Sequence, residues 1–511
     1  MMKYRIIYFL IILWSITGCE DLLDVNPKNS LTFKNALETE KDLTAALDGV
    51  GRYVRNMANL NYRDQIDKGC YADVVLEDLP SRRLSPEMID WGYWEQYYSI
   101  IAQANIVLHF AAQIEMKDDR KAIYTGQASF YKALAYFDLI RKFGDCMLIK
   151  DEVELEPKAK TPWTEVADYA IGLAREAAAS LPEFYQMTDY SGKAPRYKST
   201  PCRGAAYALL AHLCAWKAGG KYFAADRDYD EEALWREAKE ACDSIILSGT
   251  YVLAGTPEEV CSVVLSGDSQ ESIYETVYKN LLHELGDEMN QTNMMCLGRF
   301  YQSFPVMPNS VPSDIKSTYF NVYSSKMKEM FPGEDQRLQA YFYKFDTYAD
   351  PDSVSVTGGY AFPYKWREAY VSTEQGSAGR FINFNVNRVW WRLADIYLLR
   401  AECKARLGDV TAVDDLNAVR DRARAKRYES SEYDGDLRYA IYKERERELL
   451  FEGQRYYDII RNGYVRRELD GGYKTASDQD FIDGALFLTL DERAFVRNPL
   501  MRQNKYWLKF M

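Results

Sequence analysis

The side chains that could make or break bonds in this 511-residue chain are three histidines, nine cysteines and 76 carboxylates. His109, His212 and His283 lie far apart, so no two are paired by spacing. His283-Glu284-Leu285-Gly286-Asp287 opens like the zinc motif H-E-x-x-H. An aspartate holds the second ligand position, and Gly286 opposes the helix that would set both ligands on one face, so zinc chemistry is not expected. A G-x-S-x-G elbow, a glycine-rich phosphate loop and a dinucleotide fingerprint are missing. A carboxylate pair of the glycosidase kind is the one machine that could hide among so many acids, and nothing singles one out. No enzyme is expected.

Charge and rings are the remaining chemistry. With 64 basic against 76 acidic residues the formal charge is −12, which repels phosphate backbones and argues against a nucleic-acid binder. The alternating run Lys443-Glu444-Arg445-Glu446-Arg447-Glu448 reads as a solvated or neighbour-paired helix face. Arg420, Arg422, Arg424, Lys426 and Arg427 would complement the negative end of their own helix. The acidic composition suits a surface Ca²⁺, but no EF-hand-like spacing places one, and no nucleotide or redox cofactor is expected. Aromatic residues make up 14% of the chain, 40 of them tyrosines, so most must be core.

The N-terminus carries a different chemistry. Lys3 and Arg5 precede an apolar run, Ile6 to Trp14, too short to span a membrane. Ser15-Ile16-Thr17-Gly18-Cys19 follows. This is the layout of an export signal, and Ile16-Thr17-Gly18-Cys19 resembles the bacterial lipoprotein box. The box implies removal of residues 1–18 and acylation of the Cys19 thiol and amine, hence a membrane anchor of several chains. Cleavage removes two positive charges from a chain already at −12. Cys70, Cys146, Cys202, Cys214, Cys242, Cys261, Cys296 and Cys403 remain, without C-x-x-C spacing. Cys214, Cys242 and Cys403 fall in apolar helical stretches, so mostly unpaired structural thiols are expected.

The elements that must position these groups are mainly helical. Residues 19–36 form an acidic tether. Between Asp119 and Phe143 two apolar stripes share one helix, Ile123, Phe130, Leu134, Phe137 and Ile140 beside Tyr124, Ala128, Tyr131, Ala135 and Leu139, with Gly144 as the stop. A helix covered on both sides belongs in a stack of helix pairs. Further helices are expected at about 37–57, 94–115, 163–181, 200–218, 231–248, 388–407, 411–426 and 436–461. Strand-like runs occur at Ser272–Tyr278 and Tyr341–Tyr348. Residues 281–386 lose helical periodicity and gather Pro, Gly, Ser, Asn and rings. The expectation is a mainly α fold, an α-solenoid of tetratricopeptide-like helix pairs with a loop-rich, aromatic-rich irregular lobe. Its parts are a helical 37–280, an insertion 281–386 and a helical 387–511.

Several local patterns, in order, resemble one family, the SusD/RagB nutrient-binding outer-membrane lipoproteins of Bacteroidetes. They begin with Leu23-Asp24 through Pro27, then Leu43, Ala46-Leu47-Asp48-Gly49-Val50 and the spacing Trp94, Tyr98, Ile101, Asn105. Ala128-Ser129-Phe130-Tyr131-Lys132-Ala133 leads to Phe143-Gly144-Asp145. Later come Arg392-Leu393-Ala394-Asp395, Ala401-Glu402, Arg420-x-Arg422 and Glu444-Arg445-x-x-Glu448. Glu452-Gly453-x-Arg455-Tyr456-x-Asp458, Arg461-x-Gly463 and Asn498-Pro499-Leu500 complete the series. Lys132 and Cys146-Met147 depart from the family pattern. The charged motif residues are expected to pair with one another between apolar neighbours, because isolated buried charge is costly.

The resemblance implies a lipid-anchored protein on the cell outer membrane, facing the surface. It would bind oligosaccharides, or peptides, and pass them to a SusC-like TonB-dependent transporter. Rings pack on the C–H faces of sugars, and arginines fix orientation. The family draws its ligand surface from the loop before the W-x-x-x-Y helix and from the irregular insertion. Composition and location there select Arg82, Trp91 and Tyr93, then Arg299, Tyr301 and Phe304 as ligand contacts, with a packing role as the alternative for each ring. Trp94 is assigned to packing. The rival readings are a surface glycan hydrolase and a protein–protein scaffold.

Overall fold

Helix α3 shows why this chain stacks helices. It spans Asp118–Phe143, with Asp118 and Asp119 in its first turn and Arg141 and Lys142 in its last, matched to the helix dipole. Every residue from Gly126 to Phe143 is buried, so both expected stripes are covered. Gly144 ends it at φ +69°, where a Cβ would stand 2.7 Å from the Phe487 ring.

A computed structural model describes residues 37–67, 94–150, 156–278, 322–348, 359–372, 375–376, 381–469, 471–496 and 498–511 of the protein. Helices α1 (Glu40–Asp67), α2 (Glu95–Gln113), α3, α4 (Trp163–Ser180), α5 (Arg203–Gly219) and α6 (Glu231–Ile246) pack in succession, each on the next. Alanines at 205, 206, 208, 211, 215 and 218 let α5 sit fully inside the stack. Strand β1 (Ser272–Thr276) follows. Small elements then make up the lobe: β2 (Val322–Tyr323), α7 (Ser324–Met330), α8 (Arg337–Tyr341), α9 (Phe345–Tyr348), β3 (Tyr360–Ala361), β4 (Ala369–Val371) and β5 (Phe381–Phe384). The chain returns through β6 (Arg388–Arg392) to α10 (Leu393–Arg406), α11 (Ala412–Arg422), α12 (Leu437–Glu448) and α13 (Arg455–Asn462). Helix α10 packs on α6, α11 and α12, and α13 packs back on α5, so the stack continues past the lobe. The fold is mainly α, with tetratricopeptide-like helix pairs. One apolar core runs from Leu43 to Trp507, and a smaller one lies between α10, α11 and α12.

Three expectations are corrected. The helix expected at 388–407 begins only at Leu393. Arg388–Arg392 is instead a strand, antiparallel to β1 with Thr276 opposite Arg388 and Ser272 opposite Arg392. Val389-Trp390-Trp391 suits a pleated surface, and Trp390 Nε1 donates to Thr276 Oγ1 at 2.8 Å. The helix expected at 436–461 breaks between Glu448 and Arg455, where Phe451 (φ +69°) and Gly453 (φ +79°) turn left-handed. The carbonyls freed by that break are taken by cations: Lys365 Nζ donates to those of Glu448 (3.0 Å) and Leu450 (2.9 Å). Tyr341–Tyr348 is not a strand. Its first residues do bond to the 362–364 segment, but Lys344 at φ +41° starts the helical turn α9.

Six described cysteines, Cys146, Cys202, Cys214, Cys242, Cys261 and Cys403, are buried and unpaired, as expected. Burial pushes each thiol up, Cys261 to about 12. Cys19, Cys70 and Cys296 lie outside the described residues.

Candidate functional site

The six expected ligand contacts fall in two segments, 68–93 and 279–321, that lie outside the described residues, as does the anchor Cys19. The frame that carries both segments is described. The first leaves α1 at Asp67 and rejoins at Trp94, on the threshold of α2. Trp94 is 6% exposed and meets Tyr98 and Phe143 edge-on, with ring centres 5.4 and 5.9 Å apart, so its packing role holds. The second segment leaves just beyond β1. There the Tyr278 N–H donates to Asn387 Oδ1 (3.2 Å) and its hydroxyl to the Arg55 carbonyl on α1 (2.7 Å).

Polar and charged groups lie between the two exits. One turn past Trp94, the Tyr97 hydroxyl donates to Asp138 Oδ2 (2.9 Å), and Arg141 Nη2 donates to Oδ1 (2.8 Å). Burial pushes the Asp138 carboxyl up. Arg141, Lys142 and Arg388 outweigh that and hold it below the usual carboxylate range. Arg388 stands opposite Thr276 in the β1–β6 pair, two residues from Tyr278, with its guanidinium 4.2 Å from the Trp390 ring centre. Arg141 is itself held between the Phe137 and Tyr457 rings at 3.9 and 4.2 Å. Helices α1, α2 and α3 and the β1–β6 ribbon pack together at the exits of both ring-rich segments.

Among the described residues no group of His, Cys, Asp and Glu could hold a metal ion. His212, isolated in sequence, is paired in space. Its Nε2 lies 3.0 Å from Asp395 Oδ2 and its ring stacks on Trp391 at 5.7 Å. Burial lowers its pKa against the pull of Asp395, which makes it a core group rather than a surface base.

Two family profiles divide the chain between them. One described as "SusD family" matches residues 272–507, and one described as "Starch-binding associating with outer membrane" matches residues 21–214. The chain is a SusD-like family protein. It is 25% identical over 497 residues to a SusD-like protein of Formosa agariphila, covering 90% of this chain and 91% of that one. A SusD homolog of Bacteroides thetaiotaomicron superposes with a TM-score of 0.67 at 21% identity, over 92% of this chain and 99% of its own. A laminarin-binding SusD-like protein superposes at 0.64 with 20% identity, over 92% and 99%.

The SusD-like motifs at the C-terminal end are wired to one another. Arg392 reaches Glu271 (2.9 Å), Glu448 (2.7 Å) and Glu452 (2.8 Å). Arg445 bridges Asp395 (2.7 Å) and Asp458 (2.9 Å), and Arg461 clamps Glu402 through two bonds of 2.8 and 2.6 Å. Arg420 meets Glu444 at 2.9 Å and Glu432 at 2.8 Å, and Arg422 pairs with Glu448. The lobe is tied in through Arg337, wholly buried between Asp335 (2.7 Å), Glu444 (2.6 Å) and Glu448 (3.3 Å). The expected pairing among motif residues therefore holds.

Of the two readings of the 443–448 run, the neighbour-paired face holds: Lys443 pairs with Glu446, and Arg447 with Glu444 at 3.0 Å. It is not solvated, because Glu444, Arg445, Glu446 and Glu448 are buried. Arg420 and Arg422 do not serve their own helix end as expected. Both point inward to carboxylates of α12.

Proposed function

We propose that this SusD-like protein is a non-catalytic, surface-exposed lipoprotein of the outer membrane. It binds oligosaccharides and delivers them to a SusC-like TonB-dependent transporter, with Cys19 as the acylated anchor and 19–36 as its tether. The ligand contacts are Arg82, Trp91 and Tyr93 from the first segment and Arg299, Tyr301 and Phe304 from the insertion. The working units are 37–280, 281–386 and 387–511. What carries the reading is the mount: both ring-bearing segments spring from exits on packed elements, helices α1, α2 and α3 and the β1–β6 ribbon, with the Tyr278 hydroxyl bonded to the Arg55 carbonyl of α1. Rings on a stiff mount lose little entropy when a sugar packs against them, which suits a binder. The starch-binding family description and the laminarin-binding relative support a glycan over a peptide ligand. Among the described residues no helix is long and apolar enough to cross a membrane, which leaves attachment to the lipid anchor in this reading.

The test is the double variant Trp91→Ala, Tyr301→Ala. Glycan binding should disappear while the melting temperature stays nearly unchanged. Normal binding by the double variant would remove these residues from the site, and loss of cooperative folding would make them packing residues.

A further inference from the structure

The ends of α5, α6, α10 and α13 enclose a cleft of about 600 Å³, within the size range of small-molecule sites. Five cations line it, against the carboxylates of Glu231 and Asp478, in a chain whose acids outnumber its bases. Two of the five are already neutralised: Arg461 by Glu402 and Asp458, and Arg466 by Asp478 at 2.7 Å. Among the described residues the other three pair with no carboxylate.

Among the described residues Arg227 donates only to the carbonyls of Ala224 (3.1 Å) and Tyr222 (2.7 Å). Lys221 Nζ donates to the Tyr229 carbonyl at 2.9 Å. Arg406 Nη2 donates to Asn462 Oδ1 at 2.9 Å, and its buried Nε meets no acceptor among the described residues. Arg227 and Lys221 brace carbonyls of the 220–230 segment between α5 and α6, and that role explains the backbone contacts. It does not explain an arginine Nε left without an acceptor, which is costly unless something else accepts from it. The backbone keeps the space open: Gly219 presses on the Arg461 carbonyl, where any Cβ would collide, and Gly463 turns left-handed at φ +74°.

We infer that this cleft is a binding site for a small ligand bearing an oxyanion, a carboxylate, sulfate or phosphate, held by Arg227, Arg406 and Lys221. Guanidinium forks match oxyanion geometry, and a bound anion would supply the acceptor that Arg406 Nε lacks. Glu231, on the same wall, opposes the anion; its Oε1 accepts from Trp235 Nε1 at 3.3 Å, a bond that glutamine can keep. The inference stands apart from the glycan-binding reading above.

Titration calorimetry at constant ionic strength, with sodium sulfate, sodium phosphate, glucuronate and neutral glucose as probes, tests it on the full mature chain. At least one anion should bind saturably and glucose should not. Binding of glucuronate alone marks a sugar-borne oxyanion, and binding of the inorganic ions as well marks a free-oxyanion site. Arg227→Ala should weaken the anion about tenfold. Glu231→Gln should tighten it by about two- to fivefold, a change of sign that a merely structural role would not produce. Absence of saturable anion binding, equal binding of glucose, an unchanged Arg227→Ala or a weakened Glu231→Gln would each overturn the inference.

Discussion

Around Glu448 one carboxylate answers three arginines, Arg337, Arg392 and Arg422, while its own backbone carbonyl accepts from Lys365 and Arg392. Burial alone would push the carboxyl up. The arginines and the Lys365 ammonium hold it far below its usual range. A buried pair of this kind adds little against a well-packed apolar substitute, but removing one partner strands the other. Glu448→Ala should therefore cost on the order of 3–5 kcal/mol in a denaturant titration. Arg427→Ala, whose pair with Asp421 is solvent-exposed, should leave the unfolding midpoint almost unmoved. Equal losses at both positions would deny the buried network its structural role. Its titration has a definite sign. Burial raises Glu402, Glu444 and Glu446, yet their arginine partners bring each from 4.5 to about 2. The stability they contribute is complete above about 4.5 and is lost as pH falls toward 2. Acid unfolding followed by circular dichroism should steepen in that window. A flat stability profile from pH 5 to 2 would contradict ionised carboxylates at these three positions.

Elements join where the chain breaks its own helical rhythm. Gly144 closes α3 in a left-handed turn against Phe487, so Gly144→Ala should destabilise by more than about 1 kcal/mol, read as a lowered melting temperature. An unchanged melting temperature would show that Phe487 gives way easily. The same junctions separate what the residues disclose from what they conceal. The α2–α6 stack follows from apolar spacing, because each helix is wrapped by neighbours close in sequence. Trp390 and Trp391 mislead, because they continue the helical stripe of α10 while their strand is decided by β1, more than a hundred residues earlier. The break between α12 and α13 is equally concealed: Lys365 and Arg392, distant in sequence, donate to the carbonyls it frees. Of the candidate sites, rings and location mark the two ring-rich segments. The cationic cleft gives no local signal, since Lys221, Arg227 and Arg406 converge only once four helices have packed.

At the scale of the molecule, the charged network has a division of labour with the mount. Arg337 and Lys365 fasten the lobe to α12 and the turn that follows it. The β1–β6 ribbon fastens the exit of segment 279–321 to the helical stack. In the proposed function, a helical stack that carries both ring-bearing segments serves to grip a ligand without acting on it. The most direct measurement is one experiment on purified mature chain with a panel of oligosaccharides, following saturable binding by calorimetry and new reducing ends in the same samples. The account predicts that at least one glycan binds and none is cleaved. Release of reducing ends at enzymatic rates, or failure of every glycan to bind, would contradict it.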